Sequence, residues 1–258
     1  MNRLPVLFIG HGSPMNAIET NIYTQRLTLL GKELPRPKSI LIISAHWFTK
    51  GTLVSVSEKP ETIYDFYGFP PKLYQVKYPA PGAPETGYLV TLTAKSCPIF
   101  VDTEMGLDHG AWSVLRHLYP EADIPVTQMS IDYSKSPAEH YALAQELAIL
   151  RDHGVLIIAS GNFVHNLRAA DFGNKNANPY DWNVRFDKEI ANALEKVDHN
   201  RILGYEDLGQ DAKLSVPTPD HFIPLFYTIG ASQLGDAVTT IWEGYEHGSI
   251  SMRSVMIG

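Results

Sequence analysis

The chain has one cysteine in 258 residues, so no internal disulfide can form, and Cys97, set before Pro98 with no motif around it, is expected to be buried and inert. No run of about 18 apolar residues suggests a membrane span. The N-terminus lacks the basic region, long apolar stretch and small-residue cleavage site of a signal peptide, which makes a reducing cytoplasm the expected location. Lys and Arg never cluster beyond a pair, and the formal charge is −7 with a pI near 5.8. Nucleic acid and anionic membranes are thereby disfavoured as partners, and a small molecule is favoured. There is no G-x-S-x-G elbow, no G-x-G-x-x-G and no P-loop, so acyl transfer and nucleotide binding lose their usual signatures. Repeats, low-complexity tracts and domain linkers are also missing. At this length a single domain over residues 1–258 is expected.

What is present is a soluble, globular composition, 44% hydrophobic and 19% charged. Apolar, β-branched runs of strand length fall at 5–9, 39–45, 52–56, 99–101, 126–131, 155–159 and 250–257. Several are continuous rather than alternating, which predicts strands covered on both faces. Helical patterns lie between them at 21–30, 84–96, 111–118, 182–197 and 221–229. The clearest is "SKSPAEHYALAQELAILRDHG", where Ser136 caps, Pro137 opens the helix, Glu139 completes a capping box and Gly154 supplies the stop. The fold class is α/β: a central, mostly parallel or mixed sheet with helices on both faces. The stretch "YDFYGFPPKLYQVKYPAPGAP" has no helical period and predicts a long ordered loop that could roof a pocket.

Ten histidines are more than usual for this length. His11 follows "VLFIG", His46 follows "ILIISA" and His165 follows "VLIIASGNFV", all at carboxyl ends of predicted strands, where open α/β sheets bind ligands. His221 follows "TPD" and is placed on the first turn of a helix. A lone histidine at a strand end is as a rule a hydrogen-bonded structural residue. Three at one topological position favour a shared site, and imidazole suits Zn, Fe and Cu. His109, preceded by Asp108 as a capping acceptor, either faces the same site or lies on the surface. The remaining histidines, His117, His140, His153, His199 and His247, read as solvent-facing or structural. Gly10 and Gly12 around His11 are expected to let the strand end turn tightly. Ser13 reads as a turn former.

With these residues assembled, the chain resembles the class III extradiol ring-cleavage dioxygenases, in the DOPA 4,5-dioxygenase branch. The matching stretches are "FIGHGSPMNAIE", "PRPKSILIISAHWFT", "GLDHGAWSVLRHLYPEADIPVTQMSID", "ASGNFVHNLR", "TPDHFIPLFYTIGAS" and "GSISMRSV", which span nearly the whole chain. The resemblance implies one divalent metal ion at the carboxyl edge of the sheet, held by His11, His46 and His221. His165 is implied either as a fourth ligand or as an acid/base, and His109 as a pocket residue that hydrogen-bonds substrate or oxygen. Fe(II) is the metal expected for ring cleavage, and Zn(II) is compatible with a three-histidine set in purified protein. The implied substrates are O2 and a small catechol, DOPA first. A zinc hydrolase and a non-catalytic metal- or ligand-binding protein are the competing readings of the same pocket. A monomer and a small homo-oligomer both fit.

Overall fold

The computed structural model describes residues 3–258. Its strands are β1 (Val6–Gly10), β2 (Ser39–Thr49), β3 (Thr52–Ser55), β4 (Ile99–Asp102), β5 (Val126–Asp132), β6 (Val155–Gly161), β7 (Val238–Trp242), β8 (Tyr245–Glu246), β9 (Ile250–Ser251) and β10 (Ser254–Ile257). Among the described residues eight of these form one sheet in the order β4-β3-β5-β2-β6-β1-β10-β7, and β8 pairs with β9 apart from it. The central four, β5, β2, β6 and β1, are parallel, so their carboxyl ends share one edge. Antiparallel pairing of β10 with β1 and of β3 with β5 makes the sheet mixed.

The helices are α1 (Ile22–Glu33), α2 (Pro84–Thr93), α3 (His109–Leu118), α4 (Pro137–Leu147), α5 (Asp181–Glu195), α6 (His199–Leu203), α7 (Gln210–Ser215) and α8 (Pro224–Gly230). Successive residues of a strand point to opposite faces, and here both faces are covered. Leu7, Ile9, Ile40, Ile42 and Ile158 pack with Leu27 and Leu30 of α1 and Trp112 and Leu115 of α3. Val6, Phe8, Leu41, Ile43 and Ile157 pack with α4, α5 and α8 through Leu143, Ile190 and Phe226. That explains why the runs are continuous. Each such side chain contributes about 1.5–3 kcal/mol by burial, so the sheet is a rigid platform for whatever its edge carries. Among the described residues no helix is long and apolar enough to cross a membrane.

Several expectations are corrected. Strand β2 continues past Ala45 to Thr49, with a break in register: Ile43 faces Met129 but Phe48 faces Ile131, so the residues between them bulge out of the ladder. The run 250–257 divides into β9 and β10, because the chain crosses over the end of β1 at Met252 and Arg253. His221 lies in the turn leading into α8, which begins only at Pro224. Strands β7 and β8 and the short helices α6 and α7 have no clear periodicity to announce them. Cys97 is half-buried rather than fully buried. Helix α4 matches its signals: Ser136 and Glu139 form the capping box, and Gly154 takes the left-handed conformation after the last turn.

His140, on α4, is fully buried, with Nδ1 3.0 Å from the Tyr227 hydroxyl. Burial first, and Lys135 next, push its pKa down to about 4, against the opposing pull of Asp132 and Glu139. As pH falls through about 6.5 the unfolded chain takes up a proton at this residue that the folded chain refuses until about pH 4. Stability is therefore lost across that window and not further below it. Urea unfolding at pH 7 and pH 4 should show wild type losing about 3 kcal/mol more than His140→Leu. Equal losses in the two proteins would remove His140 as the cause.

Candidate metal centre

All five singled-out histidines meet at the carboxyl edge of the parallel strands. His11 directly follows β1, and its backbone N–H donates to the Gly161 carbonyl at the end of β6, 3.1 Å away. Gly10 and Gly12 matter here for different reasons. A Cβ on Gly10 would lie 2.7 Å from the Met252 carbonyl carbon, so the glycine serves close approach rather than a turn. Gly12 has φ +59°, the left-handed region that favours glycine, and so turns the chain after His11. Ser13 then caps a short helical turn by accepting from the Met15 N–H. The crossing segment that crowds Gly10 is fastened from behind: the buried Asp187 carboxylate accepts from Arg253 Nη2 at 2.7 Å and from Ser251 Oγ at 2.6 Å. Removing one partner of such a buried pair costs about 3–5 kcal/mol.

His46 sits in the bulge of β2, which re-aims it toward His11. The two Nε2 atoms are 3.1 Å apart. His221 is brought in by β6, whose neighbour Asn162 donates its backbone N–H to the His221 carbonyl at 2.9 Å. The ring of His221 stands 5.2 Å from that of His11 and 4.9 Å from that of His46, centre to centre. His109 opens α3, is buried rather than on the surface, and has its ring 3.9 Å from His46. Donor atoms of His11, His46 and His109 all lie within 4.8 Å of one another. So do those of His165, Asp220 and His221. His165 lies flat on His221, ring centres 3.5 Å apart and planes 9° from parallel.

Hydrogen bonds decide where the ring protons are. Ser160 Oγ donates its only proton to the Gly110 carbonyl at 2.6 Å, so at 2.9 Å it must accept from Nδ1–H of His11. Nε2 of His11 therefore carries a lone pair. Nδ1 of His221 donates to the Asp220 carboxylate, which likewise leaves a lone pair on Nε2. That atom is buried and has no hydrogen-bond partner among the described residues. Burial alone would raise the Asp220 carboxyl, yet the hydrogen bond from His221 holds it well below its usual range, so it stays a strong acceptor. Burial, reinforced by the neighbouring imidazoles, pushes the pKa of His11, His46 and His165 well down. Neutral rings are the form that binds metal. The donor set thus fits a divalent cation: imidazoles oriented through their second nitrogen, and a donor spacing of 3.1 Å that suits ligands each about 2.0–2.1 Å from one ion.

Residues 10–254 match the family described as the catalytic LigB subunit of aromatic ring-opening dioxygenase. The chain belongs to the LigB family. It is 45% identical to the "4,5-DOPA dioxygenase extradiol" of Escherichia coli K12, over 99% of this chain and 95% of that protein. It is 39% identical to the Beta vulgaris protein of the same description, over 96% of this chain and 94% of that one. The crystal structure of an uncharacterized Escherichia coli K12 protein superposes with a TM-score of 0.87 at 42% identity, covering 99% of this chain and all of that one. The LigB chain described here is accordingly an extradiol-type dioxygenase.

Four polar partners of the LigB site escaped the sequence reading. Ser160 ends a buried strand and is indistinguishable there from any small residue. Asp220 stands beside His221 and was legible only as a start signal for the following helix. Ser44 donates to the Asp108 carboxylate at 2.7 Å, and Asp108 also caps α3 through the Ala111 N–H. Burial, and then the charge of Asp65, push Asp108 up to about 6. Asp65 is the sole carboxylate in residues 62–84, and that isolation was its one signal. Its Oδ1 accepts from the His109 backbone N–H and its Oδ2 from His109 Nδ1, both at 2.9 Å. The loop that carries it does roof the site: Phe66 meets His109 edge-on at 5.5 Å. Tyr64 and Tyr78 spend their hydroxyls on the backbone carbonyls of Val76 and Tyr119, so neither is free for a substrate.

Proposed function

We propose that the chain, acting over residues 1–258 as one catalytic domain, is a metal-dependent dioxygenase that opens the ring of a small catechol beside its two hydroxyls. DOPA is the favoured substrate, with 4,5-cleavage giving a seco-acid and both atoms of O2 entering the product. The observation that carries the metal dependence is the pair of fixed lone pairs, on His11 Nε2 and on the partnerless His221 Nε2, beside His46. His11, His46 and His221 would hold the ion. When bound, Fe(II) would supply the charge that acidifies a phenol and the redox chemistry that oxygen insertion requires, which zinc lacks. Relatives described as acting on DOPA support the substrate.

The protein's own part is proton handling and exclusion of water. His165 is neutral, because burial first, and the neighbouring imidazole of His221 next, push its pKa down while Asp220 pulls it back. A neutral ring nitrogen of His165 takes a proton from a catechol hydroxyl, and the resulting imidazolium returns it as the ring opens. His109 lies against Phe66 and beside His46, and offers a hydrogen bond to the substrate. The zinc hydrolase reading shares the donors but finds no support in the family.

Loading with Fe(II) under anaerobic conditions, followed by O2 and DOPA, tests the reading. A yellow product formed with one O2 consumed per DOPA is the expected result. Absence of oxygen uptake with a panel of catechols, at full Fe(II) occupancy, would sink it.

A further inference from the structure

We propose that Asp65 is a positioning residue of this site, fixing the proton of His109 on Nδ1 and so leaving Nε2 as the atom that meets substrate. The proposal rests on the dioxygenase reading above for its catalytic consequence, and on hydrogen bonds alone for its structural one.

The argument is one of matched donors and acceptors. An ionised carboxylate only accepts, so both contacts with His109 must be N–H donors. The backbone N–H at 2.9 Å from Oδ1 is one by nature. The other, at 2.9 Å from Oδ2, requires the ring proton on Nδ1. The same Oδ2 lies 3.4 Å from Nδ1 of His46, so one oxygen faces an imidazole on the candidate metal side and another on the pocket side. Helix capping alone does not explain this arrangement, because Asp108 already caps α3.

Asp65 is also held in place. The flanking Ile63 donates its N–H to the Leu107 carbonyl at 2.8 Å and accepts from Trp112 Nε1 at 2.8 Å. The Tyr64 hydroxyl ties the loop back to the Val76 carbonyl at 2.6 Å. The carboxylate is therefore fixed to the same helix as the histidine it orients.

Asn at this position presents one acceptor and one donor where two acceptors are needed. With the amide oxygen on the backbone N–H, the NH2 faces Nδ1 and drives the ring proton to Nε2, the substrate-facing atom. We expect Asp65→Asn to lower kcat about 10–100-fold, to change KM less than about threefold, and to keep one metal ion per chain. In the 15N spectra of zinc-loaded protein, the wild-type His109 ring should be the Nδ1–H tautomer, and Asp65→Asn should convert it to Nε2–H. An Nε2–H tautomer in wild type, or an Asp65→Asn variant with kcat within twofold of wild type, overturns the proposal. Should Asp65→Asn fail to fold, the wild-type spectrum alone decides. Because that spectrum needs no turnover, it stands or falls separately from the identity of the substrate.

Discussion

His11→Ala, and separately His46→Ala, is expected to yield a folded protein that retains little metal after dialysis and turns over DOPA at least about a thousandfold more slowly. The magnitude follows from the several kcal/mol of charge stabilisation that a bound cation supplies to a reacting oxygen, at about 1.4 kcal/mol per factor of ten. Folding should survive because the apolar layers of Leu7, Ile9 and Ile42 on one face and Phe8 and Ile43 on the other are untouched. His11→Ala also frees Ser160, but its hydroxyl keeps the Gly110 carbonyl as acceptor, so no buried donor is orphaned. Metal content by elemental analysis and far-ultraviolet circular dichroism, measured on the same samples, check both halves. Stoichiometric metal retained in both variants would contradict a shared site.

That these two residues are neighbours was legible from sequence through one rule, that ligands gather where parallel strands end. The rule worked for His11 because β1 stops at Gly10. For His46 it worked for a different reason than expected, since β2 runs on and the histidine is presented by a bulge that no periodicity marks. His221 was legible as a motif but not as a strand-edge residue, because what brings it in is a single backbone hydrogen bond from Asn162. The residues that set proton positions were the least visible. Ser160, Asp220 and Asp65 act through directed hydrogen bonds across 44 to 149 residues or across one, and neither distance leaves a pattern in composition or spacing. The sheet itself was easy to anticipate, because burial on two faces demands long apolar runs, whereas β7, with only Ile241 buried, had no reason to show one.

His165→Ala is expected to separate catalysis from metal binding: kcat should fall about 10²–10⁴-fold, the range of a lost general acid/base, while the metal stays near one ion per chain. The stacking of the rings supports this split. A ligating nitrogen offers its lone pair in the plane of its own ring. Two nearly parallel planes with ring centres 3.5 Å apart do not both pass through one ion about 2.0–2.1 Å from each donor. If His221 ligates, His165 on top of it is left with its nitrogens for protons. Its neutral state at physiological pH, set by burial and by the neighbouring imidazole of His221, is what a base requires before it accepts a proton, and Asp220 nearby favours the charged form afterwards. The variant also tests the packing: loss of the stacked ring frees one face of His221, but the Nδ1–H bond to Asp220 still holds its orientation. Equal losses of metal and kcat in His165→Ala would instead make His165 a ligand and require the two rings to separate when the ion binds.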